Sequence, residues 1–122
     1  MYSKMVKDYF ENPINLGIIE DADAIGIIEN KICSDIIKIY IKVDKQSKSI
    51  IKDAKFEVKG CPPVIASCCV LTEIIKEMNI EKAKTLTADE IIRKLNGLPK
   101  GKEHCAELVV ETLNKAIENI SE

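Results

Sequence analysis

The clearest pattern in the chain is an alternation. Ile37, Ile39, Ile41 and Val43 are separated by Lys38, Tyr40 and Lys42. A period of two places the aliphatic side chains on one side of an extended strand and the polar ones on the other. The same alternation returns with Ala54, Phe56 and Val58 set between Lys55, Glu57 and Lys59. Residues 44–48 between the two runs are polar and turn-like, so the runs pair as neighbours. Ile25 to Ile32 reads as a further strand ahead of them, with Gly26 as its irregular position. Connections this short make an antiparallel meander.

The period changes after Gly60. Val64, Cys68, Leu71, Ile75 and Met78 recur at helical spacing, and Pro62-Pro63 suits a helix start. Thr87-Ala88-Asp89-Glu90 has the form of a capping box, opening a helix through Leu95 that Gly97 ends. From about Lys102 a last helix carries Cys105, Val109, Leu113, Ala116 and Ile120 in one stripe. At the other end of the chain, Ser3 caps a short helix with Met5, Val6, Tyr9 and Phe10 on one face, stopped by Asn12-Pro13. Strands followed by helices predict an α+β fold, a three-stranded antiparallel sheet with helices packed on one face. The 122 residues fit one domain spanning 1–122.

Composition narrows the function classes. Aromatics are 4% with no Trp, so the core is aliphatic. Formal net charge is −2, acids and bases are interspersed, and Arg93 is the sole arginine. Neither a basic block nor stacking aromatics are present, which argues against nucleic acid as a partner. No apolar run approaches the ~18 residues of a membrane span, and no signal segment opens the chain. The expected location is the cytoplasm. The Ile- and Lys-rich, Arg-poor usage suggests a prokaryotic source. Five cysteines in a reducing compartment are free, catalytic or metal-bound rather than paired in structural disulfides.

Three of them fall where strand, loop and helix meet: Cys33 in Cys33-Ser34-Asp35, Cys61 in Gly60-Cys61-Pro62-Pro63, and Cys105 in His104-Cys105. Three thiolates with one oxygen or nitrogen donor make a ligand set for Zn²⁺ or an iron–sulfur cluster. Each segment has a plainer reading beside it. Cys33 reads as a small buried thiol with Asp35 a solvated cap. Cys61 reads as a packed turn residue, although a helix start suits an anionic sulfur. His104-Cys105 reads as the start of the core stripe beside a surface histidine, or as a Cys–His nucleophile pair. Cys68 and Cys69 lie about two helical turns from Cys61, roughly 10 Å along the axis, and read as core thiols. There is no CxxC.

Taken together, the segments resemble the U-type iron–sulfur cluster assembly scaffolds (IscU and the N-terminal domain of NifU). The stretch Tyr9-Phe10-Glu11-Asn12-Pro13-Ile14-Asn15-Leu16-Gly17 is similar to that family's N-terminal motif. Cys33-Ser34-Asp35 with the strand after it, Gly60-Cys61 with Ile65-Ala66-Ser67, and His104-Cys105-Ala106-Glu107-Leu108 are similar to its three cysteine segments. The resemblance implies that the ligand cysteines gather at one tip of the sheet. It implies transient assembly of a [2Fe–2S] cluster from iron and sulfur delivered by a cysteine desulfurase, an iron donor as second partner, and transfer to recipient apo-proteins. In that scheme the protein is not an enzyme. Cys33, Cys61 and Cys105 would be ligands, Asp35 the labilising group, His104 a possible fourth ligand, and Cys105 the first sulfur acceptor. Zn²⁺ would fit the same site in an isolated form, and the state would be a monomer or a cluster-bridged dimer.

The chain departs from the family pattern at defined places. Ser34 replaces a glycine, Pro62-Pro63 replace small residues, and Cys68-Cys69 replace serines. Leu98-Pro99-Lys100-Gly101-Lys102 replaces the segment that docks a dedicated Hsp70 system, which leaves that partner without its expected site. Two other functions fit the cysteines: a zinc-stabilised regulatory module of a cysteine desulfurase, and a sulfur relay carrying persulfide.

Overall fold

The alternating segments form a single three-stranded antiparallel sheet in the order β1-β2-β3, with β1 at Ala24–Asn30, β2 at Asp35–Val43 and β3 at Ile51–Lys59. The computed structural model describes residues 2–31 and 34–120. Helix α1 (Lys4–Glu11) precedes the sheet, and α2 (Pro62–Ile75), α3 (Ile80–Ala83), α4 (Ala88–Lys94) and α5 (His104–Glu118) follow it. The register sets Ile39 opposite Gly26 on one side and Phe56 on the other. Ile37, Ile39, Ile41, Ala54 and Phe56 are all buried on the same face. α5 lies across β1 and β2, α2 lies against β3, and α1 packs on α2. Each fully buried aliphatic side chain of this kind contributes roughly 1.5–3 kcal/mol relative to exposure.

Gly26 explains how closely α5 approaches. A Cβ there would lie 2.4 Å from the Thr112 carbonyl oxygen and 2.5 Å from the Ala116 nitrogen. The glycine is therefore where a helix backbone rests directly on the strand. The outer edge of β3 is also covered. Gly17 N–H donates to the Phe56 carbonyl at 2.8 Å and Phe56 N–H to the Asn15 carbonyl at 3.0 Å. The Asn15 amide fixes this segment by donating to Thr72 Oγ1 of α2 at 3.1 Å.

The caps follow the expected chemistry. Ser3 Oγ accepts from Val6 N–H, and Thr87 with Glu90 closes a complete capping box. Three features differ from expectation. β1 runs from Ala24 to Asn30, and Ile32 lies outside the described residues. α2 stops at Ile75, because Lys76 turns extended and Glu77 adopts φ +67. Met78, which continued the helical period, instead accepts a hydrogen bond from Ile51 N–H at 2.9 Å. The four-residue α3, capped by Asn79, had no sequence signal of its own.

The connections bring several element ends together. β2 begins where β3 ends, with Ile36 opposite Lys59, and Gly60 passes directly into α2. The starts of α2 and α5 meet at this same end of the sheet.

Candidate functional site

Cys61 is the N-cap of α2, yet its side chain makes no capping hydrogen bond. The reason lies in the two residues after it. Pro62 and Pro63 have no N–H, so two of the donors at this helix start are absent. The Cys61 carbonyl instead accepts from Val64 and Ile65 N–H at 3.0 and 3.1 Å. The side chain is half-buried against the edge of the core, and its sulfur is free of any capping bond.

Cys105 is the second residue of α5 and is 1% exposed. Its Sγ lies 3.9 Å from Cys61 Sγ and 3.9 Å from His104 Nε2. Adjacent residues converge here because the helix begins with them, after the left-handed turn at Gly101 (φ +89). The sulfur separation is informative. Two thiolates each about 2.3 Å from a tetrahedral ion stand about 3.8 Å apart. The pair is thus spaced for a shared metal centre before any metal binds.

Asp35 opens β2 opposite Asn30 and is 8% exposed. The expectation of a solvated cap does not hold, because the carboxyl is folded against Gly60. A Cβ on Gly60 would lie 3.3 Å from Asp35 Oδ1. The missing side chain just after β3 makes the room for the carboxyl on β2. Asp35 is also near enough to bear on Cys105 electrostatically.

The Cys105 thiol is pushed up to about 12, chiefly by burial and then by the charge and hydrogen bond of Cys61, with Asp35 adding to the effect and Lys102 opposing it. A thiol activated as a nucleophile is shifted the other way. This argues against the Cys–His nucleophile pair, although the sulfur and the imidazole nitrogen are in reach of each other. A metal entering such a site must displace the proton, so its affinity rises with pH.

Cys33 lies outside the described residues. Its neighbour Ser34 holds φ +59, a left-handed conformation that costs a residue with a side chain roughly 1–2 kcal/mol. That is the position where the resemblance places glycine. Among the described residues, no three His, Cys, Asp or Glu side chains form a complete metal cage. What converges on the Cys105 sulfur is Cys61 on one hand and His104 on the other, each at 3.9 Å, with Asp35 near enough to act on it electrostatically. Cys68 and Cys69 take no part. Both are fully buried in α2, and burial raises both thiols, Cys68 strongly. Two contributors were not assigned these roles from the sequence: Lys102, a cation acting on Cys105, and Gly60, the space for Asp35.

The chain and its fold are similar to those of known proteins. The family described as "NifU-like N terminal domain" matches residues 1–122. The iron–sulfur cluster assembly scaffold protein IscU 1 of Archaeoglobus fulgidus is 45% identical over 117 residues, covering 96% of this chain and 74% of that protein. The corresponding IscU of Aquifex aeolicus is 40% identical over 118 residues, covering 97% and 74%. Among solved structures, a NifU-like N-terminal protein from Brucella abortus superposes with a TM-score of 0.75 at 18% identity, covering 97% of this chain and 92% of that one. A putative SUF-system scaffold from Fervidobacterium islandicum gives 0.73 at 25% identity, covering 95% and 96%.

Proposed function

The chain belongs to the NifU-like N-terminal domain family, and from that premise we propose that it is a cytoplasmic scaffold on which a [2Fe–2S] cluster is built and then given up to apo-proteins. The observation that carries the reading is the Cys61–Cys105 pair, two sulfurs 3.9 Å apart at the tip where α2 and α5 begin. Thiolates are soft ligands suited to iron–sulfur clusters and to Zn²⁺.

In this reading Cys33, Cys61 and Cys105 hold the cargo, and Asp35 or His104 supplies the fourth donor. An oxygen or nitrogen donor there holds iron less firmly than a fourth thiolate, which suits a carrier that must let go. Sulfur arrives as persulfide from a cysteine desulfurase, with Cys105 the acceptor and an iron donor completing the supply. Because Cys105 is buried, it receives sulfur either by turning outward or through Cys61. Persulfide mapping on Cys61→Ser separates the two routes. The work is assembly and transfer rather than catalysis. No helix among the described residues is long and apolar enough to cross a membrane.

Anaerobic reconstitution with iron, cysteine and a cysteine desulfurase tests the proposal. A [2Fe–2S] absorption and Mössbauer signature in the wild type, lost in Cys33→Ser, Cys61→Ser and Cys105→Ser, supports it. Tightly bound zinc with no cluster would favour a zinc-stabilised regulatory module. A single persulfide with no metal dependence would favour a sulfur relay.

A further inference from the structure

The same two sulfurs point to a covalent state. We propose that Cys61 and Cys105 form a site of reversible oxidation, closing to an intramolecular disulfide that shuts the metal site. The inference stands on the geometry of the thiols and does not depend on the identity of the cargo.

A disulfide needs its sulfurs about 2.05 Å apart. The two start at 3.9 Å, face each other across the starts of two helices, and are 44 residues apart in sequence. Closing the gap calls for side-chain rotation on one or both. On Cys61 that rotation breaks no capping bond to α2. The two thiols also differ in access: Cys61 is half-exposed, and Cys105 is covered at 1%. A small oxidant therefore meets Cys61 first and leaves Cys105 to resolve the product. Cys68 and Cys69 are buried away from this reaction.

A peroxide is an oxidant of the right class. The Cys61 sulfur attacks one peroxide oxygen, the O–O bond breaks, and Cys61 becomes a sulfenic acid while its thiol proton and the departing hydroxide leave as water. The Cys105 sulfur then attacks the sulfenic sulfur. The S–S bond forms, the S–O bond breaks, and the Cys105 proton leaves with the departing hydroxide as water. The two thiols lose two electrons in total, and the peroxide is reduced to two waters. The disulfide removes two thiolate ligands at once and ties the start of α2 to the start of α5. A dithiol reductant reverses it.

The test uses metal-free full-length protein treated with one equivalent of hydrogen peroxide, with free thiols then blocked. The expected result is the loss of two hydrogens in the intact mass and a peptide crosslink joining Cys61 to Cys105. Affinity for the probe Zn²⁺ should fall by about 100-fold or more, since even the partners of metal ligands are worth 10- to 100-fold. Dithiothreitol should restore it. Cys33→Ser should form the same crosslink, Cys61→Ser should form none, and Zn²⁺ bound beforehand should protect both thiols. A crosslink to Cys33, a disulfide between two copies, or sulfinic and sulfonic acids without a crosslink would each overturn the proposal.

Discussion

Helix α2 sets two kinds of cysteine side by side. Cys61 stands just before its first residue, and Cys68 and Cys69 lie two turns inside it. The side chains are chemically identical, yet their surroundings divide their roles. At the helix start, prolines remove two of the donors a cap would meet, and a second helix start delivers the Cys105 sulfur to within 3.9 Å of the Cys61 sulfur. Inside the helix, the thiols are packed as small hydrophobes among Val64, Leu71 and Ile75. A cysteine's role here follows from whether it stands at an element's end, where convergence is possible, or within the packed stripe.

The sharpest way to break this contrast is to remove one sulfur from each region. Cys105→Ser should weaken Zn²⁺ binding by on the order of 100-fold or more, measured by competition with a chromophoric chelator, while folding is retained. Cys68→Ala should leave Zn²⁺ affinity unchanged. If Cys68→Ala also weakened the metal, the division between tip and core would fail.

Stability should respond in the opposite sense. Gly26→Ala places a methyl against the α5 backbone and should cost about 3 kcal/mol in denaturant unfolding, among the larger overpacking penalties. Cys69→Ser buries a hydroxyl in the same core and should cost about 1–3 kcal/mol. Thr87→Ala, far from the tip, removes the capping box and should cost about 1 kcal/mol with no effect on metal.

A pH series sharpens the comparison further. The Cys105 thiol is raised to about 12 in the fold, against an ordinary value of 9.0, and Cys68 is raised as well. Folding therefore favours the protonated thiols. Their contribution is complete below pH 9 and is lost as pH climbs from about 9 towards 12. Metal-free protein should unfold more readily at pH 10 than at pH 8, by equilibrium denaturation. Cys68→Ala should flatten part of that decline, and Cys105→Ser another part.

Much of the fold was legible because its strands alternate cleanly. The runs Ile37–Val43 and Ala54–Val58 define both the sheet and its buried face. Ser3 and Thr87 announced their helices by local hydrogen-bonding chemistry. The end of α2 was not legible, because Met78 keeps the helical period after the backbone has left the helix at Lys76. The four-residue α3 is too short for any period to register. The site was legible as residue types and, through the resemblance, as a gathering at one tip, of which the described residues show Cys61, His104 and Cys105. The burial of Asp35 was not, because the space for it is an absent side chain at Gly60, in the connection from β3 to α2. The placement of Cys105 beneath Cys61 likewise depends on how α5 crosses the sheet, which Gly26 permits and no local pattern states.

The central claim is that this tip binds a cluster in order to release it. The most direct measurement is the rate of cluster transfer from reconstituted protein to an apo-ferredoxin, comparing wild type with Asp35→Ala by circular dichroism in the visible range. The account predicts that both assemble the [2Fe–2S] cluster and that Asp35→Ala transfers it markedly more slowly. Equal transfer rates, or a wild-type cluster that does not transfer, would contradict it.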